Sequence, residues 1–147
     1  MLSFLTKKLI SFVMARERAG DIRWALLLDS DDVHFVFPGD NSWSGEYRGK
    51  DAVRRWQQRL VTVGVKTEPD EAAVSGFPWR MTVAIRGRSW FDSPQGERIY
   101  DNRFVIWGRL RWGKLAAYEV YEDTQKAKAL DEWLEQHEQR LAAVSAA

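Results

Sequence analysis

The last predicted strand carries the carboxylates best suited to acid–base chemistry. Residues 109–123 read RLRWGKLAAYEVYED and lead directly into a helical pattern, TQKAKALDEWLEQ. Side chains alternate along a strand, so one face carries Ala117, Glu119, Tyr121 and Asp123. The other face carries Tyr118, Val120 and Glu122. The sequence alone does not say which of these faces is concave.

Asp123 has two interpretations. If it is buried among aromatic side chains, its pKa rises, which suits proton transfer near neutral pH. It also directly precedes Thr124 at the predicted start of a helix, where an aspartate often accepts hydrogen bonds from the first backbone amides. The residue is therefore either a functional carboxylate facing a pocket or a helix cap.

The preceding strand offers a polar group that could orient a substrate. Tyr100, Asn102 and Phe104 alternate onto one face, and an asparagine side chain both donates and accepts hydrogen bonds. Arg103 lies on the opposite face, where it can pair with Asp101 or Glu119 at little energetic gain. We favour Asn102 for the pocket, and Asn102 or Tyr121 as the group that polarises a substrate oxygen.

Eight tryptophans in a chain of 147 residues are an unusual content. One interpretation is a heavily aromatic core. The other is a pocket lined by indoles, which suits a flat or polycyclic ligand. The candidate wall residues, each of which could equally be core, are Phe37, Trp43, Tyr47, Trp56, Trp79 and Tyr100.

Composition limits the classes of function. The length predicts one domain over residues 1–147, and the net charge of +1 gives no reason to expect a nucleic-acid partner. The chain has no cysteine and two histidines, which argues against thiolate catalysis and against a zinc site. It also has no glycine-rich phosphate loop, so we expect neither a metal nor another cofactor.

The first fourteen residues read MLSFLTKKLISFVM. Lys7 and Lys8 interrupt the apolar run, whereas a signal peptide carries its charge before that run. We prefer an amphipathic helix to a targeting segment, and no run is long enough to span a bilayer. We therefore expect a cytoplasmic protein without a membrane partner.

Periodicity predicts helices first and one long sheet afterwards. Helices are predicted over residues 3–18, 21–28, 50–63 and 124–142, with a loop over residues 40–49. Strands are predicted over residues 33–37, 66–75, 79–91, 98–111 and 114–122. Short turns between long neighbouring strands favour an antiparallel meander, so the predicted class is α+β.

Two segments resemble a known family. Residues 31–58, DDVHFVFPGDNSWSGEYRGKDAVRRWQQ, and residues 109–123 are similar to the signatures of the SnoaL-like branch of the NTF2-like superfamily. This superfamily includes ketosteroid isomerase and limonene epoxide hydrolase. The resemblance covers about residues 25–134. It implies a cone in which N-terminal helices and a C-terminal helix pack on a strongly curved, mainly antiparallel sheet, around a cup for a small apolar molecule. It also implies that Asp123 faces the cup as an acid or base.

The chain departs from two mechanisms of that superfamily. Ketosteroid isomerases have a general-base aspartate where this chain has Phe37, before Pro38. Their second carboxylate falls near residues 104–106, which are apolar here. Limonene epoxide hydrolase has an Arg-x-Asp pair on a middle strand, where residues 79–86 read WRMTVAIR without a carboxylate.

Three functions remain open. The first is an enzyme of the isomerase, cyclase or hydratase type that transfers a proton on a small hydrophobic molecule, with Asp123 as the acid or base. The second is a module that binds such a ligand without chemistry. The third is an interaction domain in which exposed aromatics, Trp90, Phe91 and Trp107, support a homodimer.

Overall fold

In a computed structural model, four helices pack around one six-stranded sheet. The structure describes the backbone of residues 2–146 and the side chains of residues 4–137. The helices are α1 (Leu2–Arg18), α2 (Arg23–Leu28), α3 (Lys50–Val63) and α4 (Thr124–Ala146). The strands are β1 (Asp29–Phe37), β2 (Gly45–Arg48), β3 (Lys66–Phe77), β4 (Arg80–Asp92), β5 (Arg98–Arg111) and β6 (Lys114–Glu122).

The strand order in the sheet is β2-β1-β6-β5-β4-β3. Strands β3 to β6 form an antiparallel meander, and β1 joins its β6 edge in parallel. α1 packs against β3, α3 against β1 and α4 against β5, so the helices cover one face of the sheet. The predicted α+β class, with helices on a curved and mainly antiparallel sheet, is confirmed.

The start of β1 and the presence of β2 differ from the sequence prediction. β1 begins at Asp29, four residues earlier than predicted, because Asp29 pairs with Leu115 of β6. The predicted loop contains β2, which pairs with the end of β1 from Phe37–Gly45 to His34–Arg48. The turn-forming residues around β2 predicted a loop. The segment forms a strand through its pairing with β1, because strand formation depends strongly on neighbouring strands.

The sheet bends at Gly87 of β4, where the pairing with β3 is irregular. Gly87 lies opposite an irregularity in β3 between Pro69 and Glu71. A Cβ atom at Gly87 would lie 2.6 Å from the ring of Phe104, so only glycine lets that ring pack directly on the β4 backbone. The bend turns the buried face of the sheet inward.

The core lies on this concave face and is rich in aromatic rings. Phe35 is fully buried, stacks on Tyr118 at 4.5 Å and meets Trp56 edge-on at 4.7 Å. Offset and edge-to-face pairs of this kind add about 0.5–1.5 kcal/mol each beyond the area they bury. The aromatic core predicted from composition is therefore present, and it forms the middle of the cavity wall described below.

Candidate functional site

A cavity of about 190 Å³ lies between the concave face of the sheet and helices α1, α3 and α4. Its lining is mostly apolar and includes Ile10, Met14, Leu60, Val83, Phe104 and Leu130. Polar side chains lie on its wall, or directly behind it, in two groups. A mostly apolar pocket with a few converging polar groups is the usual form of a small-molecule site.

The first group lies where β6 ends, and we call it the Glu122 cluster: Ser89, Tyr100, Asn102 and Glu122. The Tyr100 hydroxyl lies 2.9 and 2.7 Å from the two carboxylate oxygens of Glu122 and donates to that carboxylate. Ser89 donates to the Tyr100 oxygen at 3.1 Å. Asn102 donates at 2.9 Å to the backbone carbonyl of Asp123, which fixes the end of the strand.

The pairing of β5 with β6 assembles this cluster. Phe104 lies opposite Glu122, and alternation puts Tyr100 and Asn102 on the same concave face as Phe104. Burial raises the pKa of Glu122 to about 7, although the hydrogen bonds from Tyr100 and Asn102 act to lower it. Burial also raises the pKa of Tyr100, so its hydroxyl stays protonated and remains a donor.

The second group lies where β1 begins, and we call it the Asp29 cluster: Glu17, Asp29, Gln57 and Tyr118. All four residues line the cavity. Burial raises the pKa of Asp29 to about 7, and burial with the charge of Asp29 raises that of Glu17 to about 7. Glu17 keeps part of its surface exposed, but protein atoms enclose its carboxyl group.

The register places the two clusters at opposite ends of the cavity. Asp29 pairs with Leu115 at the start of β6, and Glu122 lies seven residues further along the same strand. At about 3.3 Å per residue, these positions are roughly 20 Å apart along β6. The aromatic wall of Phe35 and Trp56 lies between them.

Comparison with solved structures gives the fold a name. An NTF2-like protein of unknown function from Burkholderia pseudomallei is 19% identical with a TM-score of 0.72, over 85% of this chain and 95% of that one. TerC, crystallised with polyporic acid, is 25% identical with a TM-score of 0.70, over 85% and 96%. A candidate SnoaL-like polyketide cyclase from Jannaschia sp. CCS1 is 11% identical with a TM-score of 0.63, over 82% and 87%.

The chain has the NTF2-like fold. The predicted resemblance to this superfamily is confirmed, and the neighbours include a SnoaL-like protein. No protein-family model matches the sequence, and no curated protein matches it either.

Four of the six predicted wall residues line the cavity of this NTF2-like cone: Phe37, Trp43, Trp56 and Tyr100. The Trp43 indole N–H is buried without an acceptor. Tyr47 lies behind the wall, where it packs on Phe35 and donates to the carbonyl of Trp43 at 2.7 Å.

Trp79 lies outside the cavity. It is 53% exposed and stacks on Phe77 at 5.0 Å near the turn between β3 and β4. The strand alternation that places Met81 and Val83 inward does not reach it, because β4 begins after it, at Arg80.

The predicted catalytic residues are separated by the two faces of the sheet. Asp123 is exposed and caps α4, accepting the backbone N–H of Gln125 at 3.0 Å. Tyr121 is 51% exposed and bonds Glu119 on the convex face. Asn102 is buried beside Glu122 but is not itself part of the cavity lining.

Sequence reasoning missed Glu122, although one signal pointed to it. Tyr118, Val120 and Glu122 form the more apolar face of β6, and a glutamate on an otherwise apolar face marks a buried carboxylate. Glu17 and Asp29 gave no comparable signal, because one lies near the end of a helix and the other in an acidic stretch that reads as solvent-exposed.

The described part of the chain contains neither a metal-binding cluster nor a membrane-spanning helix. There, no three histidine, aspartate or glutamate side chains are grouped so that they could hold a metal ion. Nor is any helix between residues 2 and 146 both long enough and apolar enough to cross a membrane.

Proposed function

We propose that the protein binds a small, largely apolar ring compound in the cavity and that Glu122 exchanges a proton with it. One observation carries this proposal: Glu122 lies on the wall of an apolar cavity, is held by the Tyr100 hydroxyl at 2.7 Å, and has a pKa raised to about 7. A general base works best when its pKa lies near the working pH.

The proposed reaction removes a proton from a carbon next to a carbonyl group. The Glu122 carboxylate takes the proton, the C–H electron pair moves into the carbon–carbon bond, and the negative charge develops on the carbonyl oxygen. The buried N–H of Trp43 is available to that oxygen. Where a carbon–carbon double bond is conjugated with the enolate, return of the proton from Glu122 to its far carbon completes an isomerisation. Attack of the enolate carbon on a second carbonyl, with the proton passing from Glu122 to the new alkoxide, completes a cyclisation.

Two of the structural neighbours support a ring-containing substrate. One is a candidate SnoaL-like polyketide cyclase, and another was crystallised with polyporic acid. The apolar walls of Phe37, Trp43 and Trp56 offer flat surfaces to such a molecule.

The alternative function is ligand binding without chemistry. The absence of carboxylates at Phe37 and at residues 104–106 favours it, because ketosteroid isomerases use these positions. In this case the cavity holds the ligand and the Glu122 cluster only orients it.

Deuterium exchange into β-tetralone distinguishes these functions. This ring ketone fits the proposed substrate class, and NMR in D₂O follows loss of its α-protons. We expect the protein to accelerate exchange and Glu122→Gln to reduce the protein-dependent rate by about 10²–10⁴-fold, the usual contribution of a general base. The matched control is Asp123→Asn, which changes the neighbouring carboxylate on the other face and preserves a capping side chain.

The outcomes separate the candidates. Loss of exchange in Asp123→Asn with retention in Glu122→Gln would return the catalytic role to Asp123. Quenching of tryptophan fluorescence by β-tetralone without exchange would instead support the binding module.

The homodimer expected from the sequence is also proposed here. Of the aromatics expected at this contact, Trp107 is exposed, whereas Phe91 was expected wrongly, because it is buried in the core. Val105, Trp107 and Tyr121 are 40–51% exposed on the convex face of the sheet, so an apolar surface is available to a second copy. The mass in solution tests this, and a strict monomer at high concentration would contradict it.

A further inference from the structure

We propose that the Asp29 cluster is a binding site for a protonated amine carried by the ligand. The proposal deepens the proposed function, because it rests on the same cavity holding the apolar body of that ligand. It adds the substrate class: a ring or chain compound with an ammonium group at the end far from Glu122.

Two acceptors in the cluster lack donors. Oδ2 of Asp29 and Oε1 of Gln57 are buried and have no hydrogen-bond partner, and the two residues are only 2% and 6% exposed. Leaving a buried polar group without a partner costs about 1–3 kcal/mol. Both residues line the cavity, so a ligand can supply the missing donors.

The cluster also lacks a positive charge. The charge of Asp29 raises the pKa of Glu17, and both charges raise the pKa of the Tyr118 hydroxyl. All three groups line the same cavity. No ion pair to Glu17 or Asp29 is found among the side chains of residues 4–137. Buried charges in proteins are normally paired.

The neighbouring lysines bind elsewhere. Nζ of Lys50 pairs with exposed Asp31 at 3.1 Å, and Nζ of Lys114 donates to the backbone carbonyl of Leu27. Their charges act on Asp29 only from a distance, and they do not offset the effect of its burial. The cation that this site lacks is therefore not supplied by the lysines around it.

An ammonium group matches the acceptors in number and in charge. It has three N–H donors, and the cluster offers Asp29 Oδ2, Gln57 Oε1 and the carboxylate of Glu17. A hydroxyl group brings one donor and no charge, and a carboxylate ligand is repelled by both acids. The surrounding apolar residues, Ile10, Met14, Leu28 and Leu115, suit the hydrocarbon body next to the amine.

Three probes that share one ring system test the proposal: β-aminotetralin, which is a cation at neutral pH, neutral β-tetralol, and β-tetralone. Their affinities are measured by calorimetry at pH 7.5. We expect the amine to bind at least tenfold more tightly than the alcohol. We expect Asp29→Asn to weaken amine binding by 10- to 100-fold and to leave alcohol binding within twofold.

Two controls locate the amine. Asp31→Asn removes a carboxylate from the same strand that faces solvent, so the amine preference should remain. Glu122→Gln should also preserve it, because that residue lies at the other end of the cavity. Glu17→Gln provides a second variant of the cluster if Asp29→Asn does not fold, and it should reduce the amine preference as well.

Equal affinity for amine and alcohol, or an amine preference that survives both Asp29→Asn and Glu17→Gln, would overturn the proposal. Loss of the preference in Glu122→Gln alone would place the amine at the wrong end and also overturn it. An amine preference without ketone exchange supports the amine site and contradicts the catalytic role of Glu122. Exchange without an amine preference does the reverse.

Discussion

Both ends of the cavity contain carboxylates, but among the described residues only the carboxylate of the Glu122 cluster has a hydrogen-bond donor from the protein. At the Glu122 cluster, one buried carboxylate is surrounded by donors: Tyr100 bonds it directly, and Ser89 and Asn102 support Tyr100 and the strand end. At the Asp29 cluster, two carboxylates line the cavity and two acceptors have no donor. Burial raises the pKa of Glu17, Asp29 and Glu122 to about 7.

The comparison shows that a raised pKa does not by itself identify a role. A carboxylate held in a complete hydrogen-bond network is oriented before a ligand arrives, which suits proton transfer. A buried carboxylate oxygen that has no hydrogen-bond donor from the protein can accept one from a ligand, which suits ligand binding. The difference lies in the partners of each group, and the following changes test it.

The largest expected effect comes from the wall that the two ends share. Phe35→Ala removes a fully buried ring that stacks on Tyr118 and meets Trp56, so the free energy of unfolding should fall by about 3–5 kcal/mol. Urea denaturation measures it. Val105→Ala on the exposed face is the control and should cost less than about 0.5 kcal/mol. Similar losses in both variants would contradict the packing described for Phe35.

The pH dependence of stability should reflect both ends. The folded pKa values of Glu17, Asp29 and Glu122 are about 7, above the values of 4.5, 3.8 and 4.5 expected when exposed. The folded protein therefore keeps protons that the unfolded chain has released, and stability falls as the pH rises from about 4 through 7. We expect the free energy of unfolding to be lower at pH 8 than at pH 5, by roughly 2–3 kcal/mol for each carboxyl group that titrates with these pKa values.

Thermal denaturation at pH 5 and pH 8 measures this slope. Asp29→Asn should flatten it more than Glu122→Gln, because Asp29 also interacts unfavourably with Glu17. A melting temperature that rises from pH 5 to pH 8 would contradict the raised pKa values of the three carboxyl groups.

The two phenols provide a smaller and more specific contrast. Tyr100→Phe removes a hydrogen bond that lowers the pKa of Glu122, so this pKa should rise. A rise of one unit would reduce the ionised fraction at pH 7 severalfold and move the pH profile of β-tetralone exchange upward. Tyr118→Phe, at the other end, should leave the position of the profile unchanged. An equal shift of the pH profile in Tyr100→Phe and Tyr118→Phe would contradict the assignment of proton transfer to the Glu122 end alone.

The smallest effect is expected outside the cavity. Tyr121→Phe removes a hydroxyl that donates a hydrogen bond to Glu119 on the convex face. Glu119 is partly exposed to solvent there, so water can replace this bond. Stability should change by less than about 0.5 kcal/mol, and ketone exchange should stay within twofold. A tenfold loss of exchange would restore the polarising role that the sequence suggested for Tyr121.

Sequence reasoning found the elements because their patterns are local. The periodicity of residues 50–63 and the alternation of residues 98–111 and 114–122 match α3, β5 and β6 as observed. The edge strand β2 escaped, because its residues form a strand only through pairing with β1. Asn102 was placed on the concave side, since it shares a face with Tyr100 and Phe104.

The choice of acid could not be made in the same way. Asp123 and Glu122 are adjacent, and alternation sends them to opposite faces whichever face is concave. The resemblance favoured Asp123, whereas the structure makes it the cap of α4 and places Glu122 beside Tyr100. The predicted acid, Asp123, and the carboxylate found in the cavity, Glu122, are therefore neighbours in the sequence that point to opposite sides.

The sequence by itself determined the α+β class and the bounds of most helices and strands to within about two residues, because periodicity acts over a few neighbouring residues. It left open whether the aromatic residues form a core or a pocket wall. Only the tertiary structure decided which face of β6 is concave and which carboxylates share a cavity. Asp29 and Glu17 line the same cavity because β1 starts beside β6 and α1 packs on the same face of the sheet. These contacts join segments that are far apart in the chain, so no local sequence pattern predicts them. Burial and the availability of partners, which set the pKa of each group, depend on those long-range contacts.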